Sequence, residues 1–198
     1  MKDADFIDVT GFDLQLDHPT RNKSHTATFL ERGSNYFVLD DYTPPWAYQF
    51  RRAKCKMEFR LISNDTTVYY FKLKNVEHIL PAGEIATVAT IWRSDLPKHE
   101  RALTGLSAAL FAELVKRFTF VIGENELRPN TARFWRTRIR EAIESPYQYV
   151  YIWDTHIPMI PVTGQEQFSN QWEEFIWGQE HEVARHRMFV ISGRDLFA

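Results

Sequence analysis

The sequence predicts an α+β protein in which a mixed, mostly antiparallel sheet is flanked by helices. Residues 57–75 alternate apolar and polar side chains on either side of a short polar turn, which is the pattern of a β-hairpin. Residues 103–118 and 130–144 instead place apolar side chains three and four positions apart, as amphipathic helices do. Short apolar runs follow each helical segment, so strands and helices alternate along the same part of the chain.

The composition indicates a globular protein with one compact domain. Of 198 residues, 44% are hydrophobic and 25% are charged, and the formal net charge is −2. This charge balance excludes a globally basic coat for nucleic acid, and the single cysteine, Cys55, excludes an internal disulfide and a cysteine-based zinc site. The acidic N-terminus lacks an apolar segment and no run approaches about 18 apolar residues, which predicts a cytoplasmic protein that does not enter membranes.

The first part of the chain shows the weakest periodicity. We expect residues 1–56 to form an N-terminal extension that packs on or precedes the core, with one or two strands and a short helical turn. Pro44 and Pro45 mark a connection there, because proline fits neither a helix interior nor a central strand. The core domain is expected over residues 57–198.

The core is expected to begin with the hairpin, whose strands meet at Asn64 and Asp65, residues that suit a tight turn. After a turn at residues 81–83, a third strand is predicted over residues 84–94. One face of this strand would carry Ile85, Thr87, Ala89 and Ile91.

Two helices and further strands follow. The helix over residues 103–118 has Thr104 as its expected N-cap, and the nearly all-apolar residues 118–124 predict a strand buried on both faces. The helix over residues 130–144 is expected to end before Pro146. The remaining predicted segments are a strand at 147–154, a loop at 155–168, a short helix at 169–180 capped by Ser169, and a final strand at 187–192.

Three features of this order carry a resemblance to a known family. The third strand feeds through a short loop into the first helix, and the helix start places Gly105, Ser107 and Leu110 in the spacing of a G-x-G-x-x-L pattern. The second helix, which opens near Asn130, and the strand after it complete the likeness. Over residues 57–194 the chain therefore resembles the GCN5-related N-acetyltransferase (GNAT) family.

The sequence departs from the family pattern at three positions near its motifs. Arg101 stands four residues before Gly105 instead of three, and Ser107 occupies the place of the second glycine. Thr137 stands where the family often has a tyrosine that protonates the departing thiolate. His99, which precedes the turn, is expected to be a surface residue.

The start of the first helix has the chemistry of an anion site. Its first backbone N–H groups lack intrahelical partners, and small residues at Gly105 and Ser107 would let a diphosphate approach them. The resemblance implies that the ligand is acetyl-CoA or another acyl-CoA, whose pantetheine arm would pair with the main chain of residues 90–93. The residues expected to bind it are Ile91, Trp92, Arg93, Arg101, Thr104, Gly105, Leu106, Ser107 and Asn130, with Lys98 as a flanking cation.

The resemblance implies an N-acyltransferase that moves an acetyl or other acyl group to an amine of a small molecule or a protein. Glu84 is the expected general base and Glu58 the second choice. Tyr147, Tyr149 and Tyr151 alternate along one predicted strand and would share a face, and Tyr149 is the expected acid in place of the missing helical tyrosine.

Two alternatives stay open: a protein that keeps this fold as a binding module without acyl transfer, and an α+β protein of another topology. In the first, a stripe formed by Arg133, Arg136 and Arg140 would receive nucleic acid, although a solvated helix face is the plainer interpretation. His181 and His186 are five residues apart instead of the four of a zincin motif, so no metal is expected. The oligomeric state, including a homodimer, also stays open.

Overall fold

A computed structural model describes residues 16–80, 83–123, 129–154, 157–173 and 187–197, and it confirms the α+β class. The strands are β1 Ser34–Tyr36, β2 Gln49–Ala53, β3 Glu58–Ser63, β4 Thr66–Ile79, β5 Ile85–Arg93, β6 Thr119–Ile122, β7 Tyr149–Asp154, β8 Ile157–Pro161 and β9 Arg187–Ser192. The helices are α1 Pro19–Glu31, α2 Glu100–Leu103, α3 Leu106–Leu114, α4 Pro129–Glu144 and α5 Gln165–Gln167. A 3₁₀ turn, Pro97–His99, precedes α2, and a π turn, Phe168–Trp172, follows α5.

These strands form one nine-stranded sheet in the order β1-β2-β3-β4-β5-β6-β9-β7-β8. The outer strands are β1, which has three residues, and β8, which contains Pro158 and Pro161. The chain divides into two compact units, Met1–Leu73 with Ala89–Leu110 and Lys74–Val88 with Phe111–Ala198. Among the described residues, none of the helices has both the length and the apolar run needed to span a membrane.

The predicted hairpin is confirmed as β3 and β4. Ser63 pairs with Thr66, so only Asn64 and Asp65 form the loop between the strands. Both loop residues have positive φ angles, 47° and 62°, which is the backbone of a two-residue type I′ turn. Asn and Asp tolerate this left-handed conformation better than most residues, so the local sequence explains the position of the turn.

Helix α1 differs from the short turn predicted in the first 56 residues, since it has 13 residues. Its buried side chains, Asn22, Thr26 and Phe29, are four and three residues apart, as expected for one face of a helix. Because two of the three are polar, the sequence shows no periodic pattern of apolar residues here. The Asn22 amide donates to the Thr67 carbonyl at 2.9 Å and accepts from the Thr67 N–H at 2.8 Å. Thr26 accepts a further hydrogen bond from the same N–H at 3.0 Å. Polar contacts to the start of β4 therefore hold α1 in place.

Strands β5 and β6 pair in parallel, whereas the other strand pairings that the structure describes are antiparallel. The parallel ladder joins Ala86 to Thr119 and Thr87 to Phe120. A parallel neighbour cannot be reached by a tight turn, so the chain between these strands makes a crossover that contains α2 and α3. All four residues of β6 are buried, as its apolar sequence predicts.

The second unit confirms the predicted helix over 130–144 and the final strand. The inner face of α4 is formed by Trp135, Ile139 and Ala142, each with 0% exposure. Trp135 packs edge-on against Phe111, with ring centroids 6.0 Å apart. A separate apolar cluster gathers side chains from β5, β6, β7, β8 and β9: Ala86, Val121, Tyr151, Met159, Met188 and Val190. Leu196, after β9, is buried in the same cluster.

Three predicted segments are wrong in detail. The helix over 103–118 is interrupted at Thr104–Gly105 and its second part ends at Leu114. The predicted loop at 155–168 contains β8 and the start of a helical segment. That segment begins at Gln165 after Gly164, so Ser169 lies inside it and is not its cap, and residues 174–180 lie outside the described residues.

The close packing of the segment after β9 against Val115 requires a glycine at position 193. A Cβ at Gly193 would lie 2.6 Å from the Val115 carbonyl oxygen, which is closer than real Cβ contacts. The backbone of this segment can therefore approach Val115 only because position 193 has no side chain.

We expect Asn22→Ala to lower the free energy of unfolding by about 2 kcal/mol, because the Thr67 N–H and carbonyl lose a buried partner. Urea unfolding followed by circular dichroism measures the change. Asn35→Ala, at an exposed position of β1, is the matched control and should change stability by less than about 0.5 kcal/mol. Equal effects of the two substitutions would contradict the role assigned to Asn22.

Candidate functional site

The turn between α2 and α3 is the clearest candidate site in the first unit. The Thr104 N–H and hydroxyl both donate to the Glu100 carbonyl, at 3.0 and 2.9 Å. Thr104 therefore ends α2, and the predicted role of Thr104 as N-cap of the longer helix is wrong. The first hydrogen bond of α3 runs from the Ala109 N–H to the Gly105 carbonyl, so Gly105 starts the helix.

Gly105 leaves this turn open. Its φ angle is +79°, which strains residues with a side chain, and a Cβ added there would meet nothing within 4 Å. The amides of Leu106 and Ser107 precede the first helical hydrogen bond and have no acceptor within α3. Leu106 is fully buried and fixes the helix start, whereas Gly105 is exposed and Ser107 is half-buried. The turn thus combines unused donors with uncovered space, which fits a diphosphate.

Three cations lie close in sequence to the turn. Arg93, Lys98 and Arg101 are exposed, and none of them has an ion-pair partner within the part of the chain that the structure describes. The acidic residues of the same segment are Asp95 and Glu100, also exposed. The segment over residues 93–101 therefore carries a small positive excess near the amides of the helix start.

Two tyrosines of the N-terminal extension hold the segment before the turn. The Tyr42 hydroxyl donates to the Ala102 carbonyl at 2.5 Å, and the Tyr48 hydroxyl lies 3.0 Å from His99 Nδ1 and 3.3 Å from the Lys98 carbonyl. Neither tyrosine is predicted from the sequence as a functional residue. The only available signal was that aromatic residues flank the Pro44-Pro45 pair.

His99 is buried, with 7% exposure, so the prediction that it lies at the surface is wrong. Its ring packs edge-on against Tyr48, with centroids 5.9 Å apart. Burial lowers the pKa of His99 below its usual value of 6.5, and the neighbouring Lys98 lowers it further. The imidazole is therefore neutral at neutral pH and supports the turn as a packed hydrogen-bonding group.

The predicted residues on β5 have separate roles. Trp92 is 9% exposed and packs with Leu16 and Tyr70. Its indole N–H donates to Asp17 at 2.9 Å, so the side chain belongs to the core of the first unit. Ile91 is half-buried and Arg93 is exposed. Of the three predicted residues on β5, Arg93 therefore has the side chain most open to a ligand.

Glu58, the second-choice base, is the counterion of a buried arginine. Arg60 is 5% exposed, and its Nε lies 2.7 Å from the Glu58 carboxylate. The guanidinium of Arg60 also lies over the rings of Phe29 and Tyr70, at 4.7 and 5.1 Å from their centroids. Loss of the Glu58 charge would leave a buried cation without its partner. Glu58 is thus committed to the structure of the first unit.

Glu84, the first-choice base, and Tyr149 lie along one row of the second unit. The Glu84 carboxylate pairs with Arg194 at 2.5 Å and accepts from the Thr119 hydroxyl at 3.5 Å. Thr119 in turn lies 3.4 Å from the Ser192 hydroxyl, and Ser192 is opposite Tyr149 in the register of β7 and β9. Residues directly opposite one another in antiparallel strands share a face, so the row ends at Tyr149.

Of the three tyrosines predicted to share a face, Tyr149 and Tyr151 do so, because they lie two residues apart in β7, whereas Tyr147 lies outside the strand. Tyr147 is 81% exposed and lies in the turn before β7. Tyr151 is 2% exposed and its hydroxyl donates to Asp195 at 2.9 Å; burial raises its pKa to about 12. Tyr149 is 39% exposed, and its hydroxyl has no hydrogen-bond partner among the described residues. Of the two tyrosines on β7, Tyr149 is therefore the one that a ligand can reach.

The arginine stripe of α4 is largely paired. Arg136 and Arg140 both contact Glu173, at 3.3 and 3.2 Å, and Arg133 is exposed. Two of the three positive charges are thus offset, which weakens the stripe as a phosphate-binding surface. Asn130 is the second residue of α4, and its side chain lies outside the described part of the structure.

His181 and His186 also lie outside the described residues. Within the described ranges, no group of three or more His, Cys, Asp or Glu side chains is arranged to hold a metal ion. Comparison with protein-family models, with curated proteins and with solved structures finds no match to the chain.

We expect His99 to make the stability of the protein depend on pH. A group whose pKa is lower in the folded state stabilises the fold above its unfolded pKa, near 6.5, and this contribution is lost as the pH falls towards the folded value. The fall in Tm between about pH 7.5 and 5 should therefore be smaller in His99→Gln than in the wild type.

His18→Gln, at an exposed position, is the matched control for the loss of an imidazole. Parallel Tm curves for the wild type and His99→Gln would show that His99 does not carry the pH dependence.

Proposed function

We propose that the protein is a cytoplasmic, acyl-CoA-dependent N-acyltransferase of the GNAT type, a divergent member of that family. One observation carries the proposal: the chain leaves β5 through an open turn at Gly105, enters α3 and returns as the parallel strand β6. The resemblance stated from the sequence implies this arrangement of central strand, diphosphate turn and helix. The described β5–β6 ladder joins two residue pairs, while β5 continues to Arg93, so the strands are not paired along their whole length.

The residues at the turn fit the diphosphate of an acyl-CoA. The amides of Leu106 and Ser107 are donors without intrahelical acceptors, and the absence of a side chain at Gly105 leaves them uncovered. Arg101 and Lys98 would offset the negative charge, and the backbone at Ile91–Arg93 would pair with the pantetheine amides. Binding at these residues would fix the position of the acyl group, and positioning accounts for much of the rate in reactions of this class.

The chemistry supplied by an acyl-CoA is a thioester activated for attack by an amine. The proposed acid for the leaving thiolate is Tyr149 in the second unit, because its hydroxyl is exposed and has no partner among the described residues. Glu84 is the proposed base, and it would have to release Arg194 before it could accept a proton from the amine.

A second candidate is a GNAT-fold binding protein without acyl transfer. The observation that favours it is that both candidate bases, Glu58 and Glu84, are ion-paired with arginines. Both proposed functions require acyl-CoA binding, but only the enzyme would transfer the acyl group.

We expect acetyl-CoA to raise the Tm of the wild type and Gly105→Ala to reduce acetyl-CoA affinity at least tenfold. The added Cβ would occupy the space through which the diphosphate reaches the amides. Thermal shift and isothermal calorimetry measure the two effects, and saturation at about 100 times Kd corresponds to roughly 2.7 kcal/mol of stabilisation.

Gly83→Ala is the matched control for this test. Gly83 also has a positive φ, +73°, and open space around its Cβ position, so the backbone strain of the two substitutions is similar. Gly83→Ala should therefore lose similar stability while it keeps acetyl-CoA affinity. No Tm change with millimolar acetyl-CoA or longer acyl-CoAs would refute acyl-CoA binding.

We expect Tyr149→Phe to lower kcat at least tenfold with little change in acetyl-CoA affinity, because the substitution removes only the hydroxyl. Release of free CoA thiol with a panel of amines measures turnover. Tyr147→Phe, at the exposed position before β7, is the control. Acetyl-CoA binding without turnover on any amine would favour the binding protein over the enzyme.

A further inference from the structure

The connection between β1 and β2 displays a tryptophan in full contact with solvent. Trp46 is 98% exposed, although its ring is the largest apolar surface that a side chain offers. The Tyr48 N–H donates to the Pro45 carbonyl at 2.8 Å, which closes a turn with Trp46 and Ala47 at its centre. Pro44 and Pro45 restrict the backbone before the turn. The indole therefore projects into solvent from a loop whose backbone is restricted by two prolines and a hydrogen-bonded turn.

This loop is fixed to the segment that leads into the proposed diphosphate turn. Tyr42 and Tyr48 lie on either side of Trp46; the Tyr42 hydroxyl bonds to the Ala102 carbonyl, and the Tyr48 hydroxyl bonds to the Lys98 carbonyl and the His99 ring. Burial raises the pKa of Tyr42 to about 12, so its hydroxyl stays protonated and remains a donor. The loop and the segment before the turn are thus neighbours within the first unit.

We propose that Trp46 stacks on the adenine ring of the acyl-CoA whose diphosphate binds at Gly105, an inference that rests on the proposed function. Adenine is the aromatic part of CoA, and it is joined through its ribose to the diphosphate. An exposed indole on a loop bonded to residues 98–102, just before the diphosphate turn, is suited to that ring, since a base and an aromatic side chain stack face to face.

Charge contributes less than the aromatic surface of Trp46 to the proposed recognition of adenine. Lys98 and Arg101 are exposed cations on the segment that the loop contacts, but Asp40 and Asp41 precede Tyr42 and are exposed as well. The aromatic surface of Trp46 is therefore the feature that selects the nucleoside, and the cations serve the phosphates.

The test compares CoA with two fragments. Titration of the full chain by calorimetry uses CoA, 3′-dephospho-CoA and 4′-phosphopantetheine, which lacks the adenosine and one of the two phosphates. Trp46→Ala should weaken CoA and 3′-dephospho-CoA about tenfold, the effect of losing one base–aromatic stack, and should leave 4′-phosphopantetheine unchanged. Val38→Ala, at an 84% exposed position of the same connection, is the matched control and should change none of the three.

A fluorescence measurement gives a second readout. CoA should quench tryptophan emission in the wild type, and this quenching should be lost in Trp46→Phe, which keeps an aromatic ring and most of the affinity. Quenching by 4′-phosphopantetheine is not expected. Undiminished quenching in Trp46→Phe would place the adenine at another tryptophan and overturn the proposal.

The outcomes separate this inference from the proposed function. CoA binding that is equally strong in the wild type and in Trp46→Ala overturns the role of Trp46 and leaves acyl-CoA binding intact. An equal loss for CoA and for 4′-phosphopantetheine also overturns it, because the loop would then only support the turn. A wild type that binds neither CoA nor 4′-phosphopantetheine refutes the inference together with the proposed function.

Discussion

The parallel pairing of β5 with β6 is the constraint on which the arrangement of the candidate site depends. An antiparallel neighbour can follow after two residues, as at Asn64-Asp65, but a parallel neighbour requires the chain to return to the starting end of the sheet. The return path contains α2, the turn at Gly105 and α3. The turn between the two helices contains a backbone position with positive φ, and glycine accepts this conformation without strain. The open amides are a consequence of this path.

Buried polar contacts hold the first unit together in a way that restricts its chemistry. Asn22 and Thr26 saturate the backbone of Thr67, and Arg60 is enclosed by aromatic rings with Glu58 as its counterion. Such groups are costly when one partner is removed, so they serve structure and not proton transfer. Glu84 in the second unit is also paired, with Arg194, but that arginine is exposed, so the pair is less costly to break. Tyr149, which has no such partner among the described residues, keeps its hydroxyl available.

The sequence predicted the elements whose information is local. The hairpin follows from alternation and two turn residues, β6 from its apolar run, and α4 from a stripe that includes Trp135 and Ile139. Helix α1 was not predicted because two of its buried residues, Asn22 and Thr26, are polar. Their partner is Thr67, which lies 45 and 41 residues further along the chain, so a search for periodic apolar residues does not find the helix. The break at Thr104–Gly105 likewise lay within a continuous apolar pattern.

The residues of the candidate site also differ in whether the local sequence reveals them. Gly105 and Ser107 could be singled out because the turn is encoded by adjacent residues. Tyr42 is 60 residues from Ala102 and Tyr48 is 51 residues from His99, so their support of the turn follows from tertiary structure alone. Glu58 and Glu84 show a further limit, since both are ion-paired with arginines. The sequence alone does not reveal whether a carboxylate is ion-paired in the folded protein.

The outer strands of the sheet also affect how copies of the chain can meet. Edge strands expose backbone groups that recruit a strand from another molecule, and such growth leads to aggregation. Here β8 has prolines at positions 158 and 161, which lack the N–H that a new strand would need, and β1 is only three residues long. Among the described strands, the two borders of the sheet are therefore poorly suited to extension by a strand of another copy.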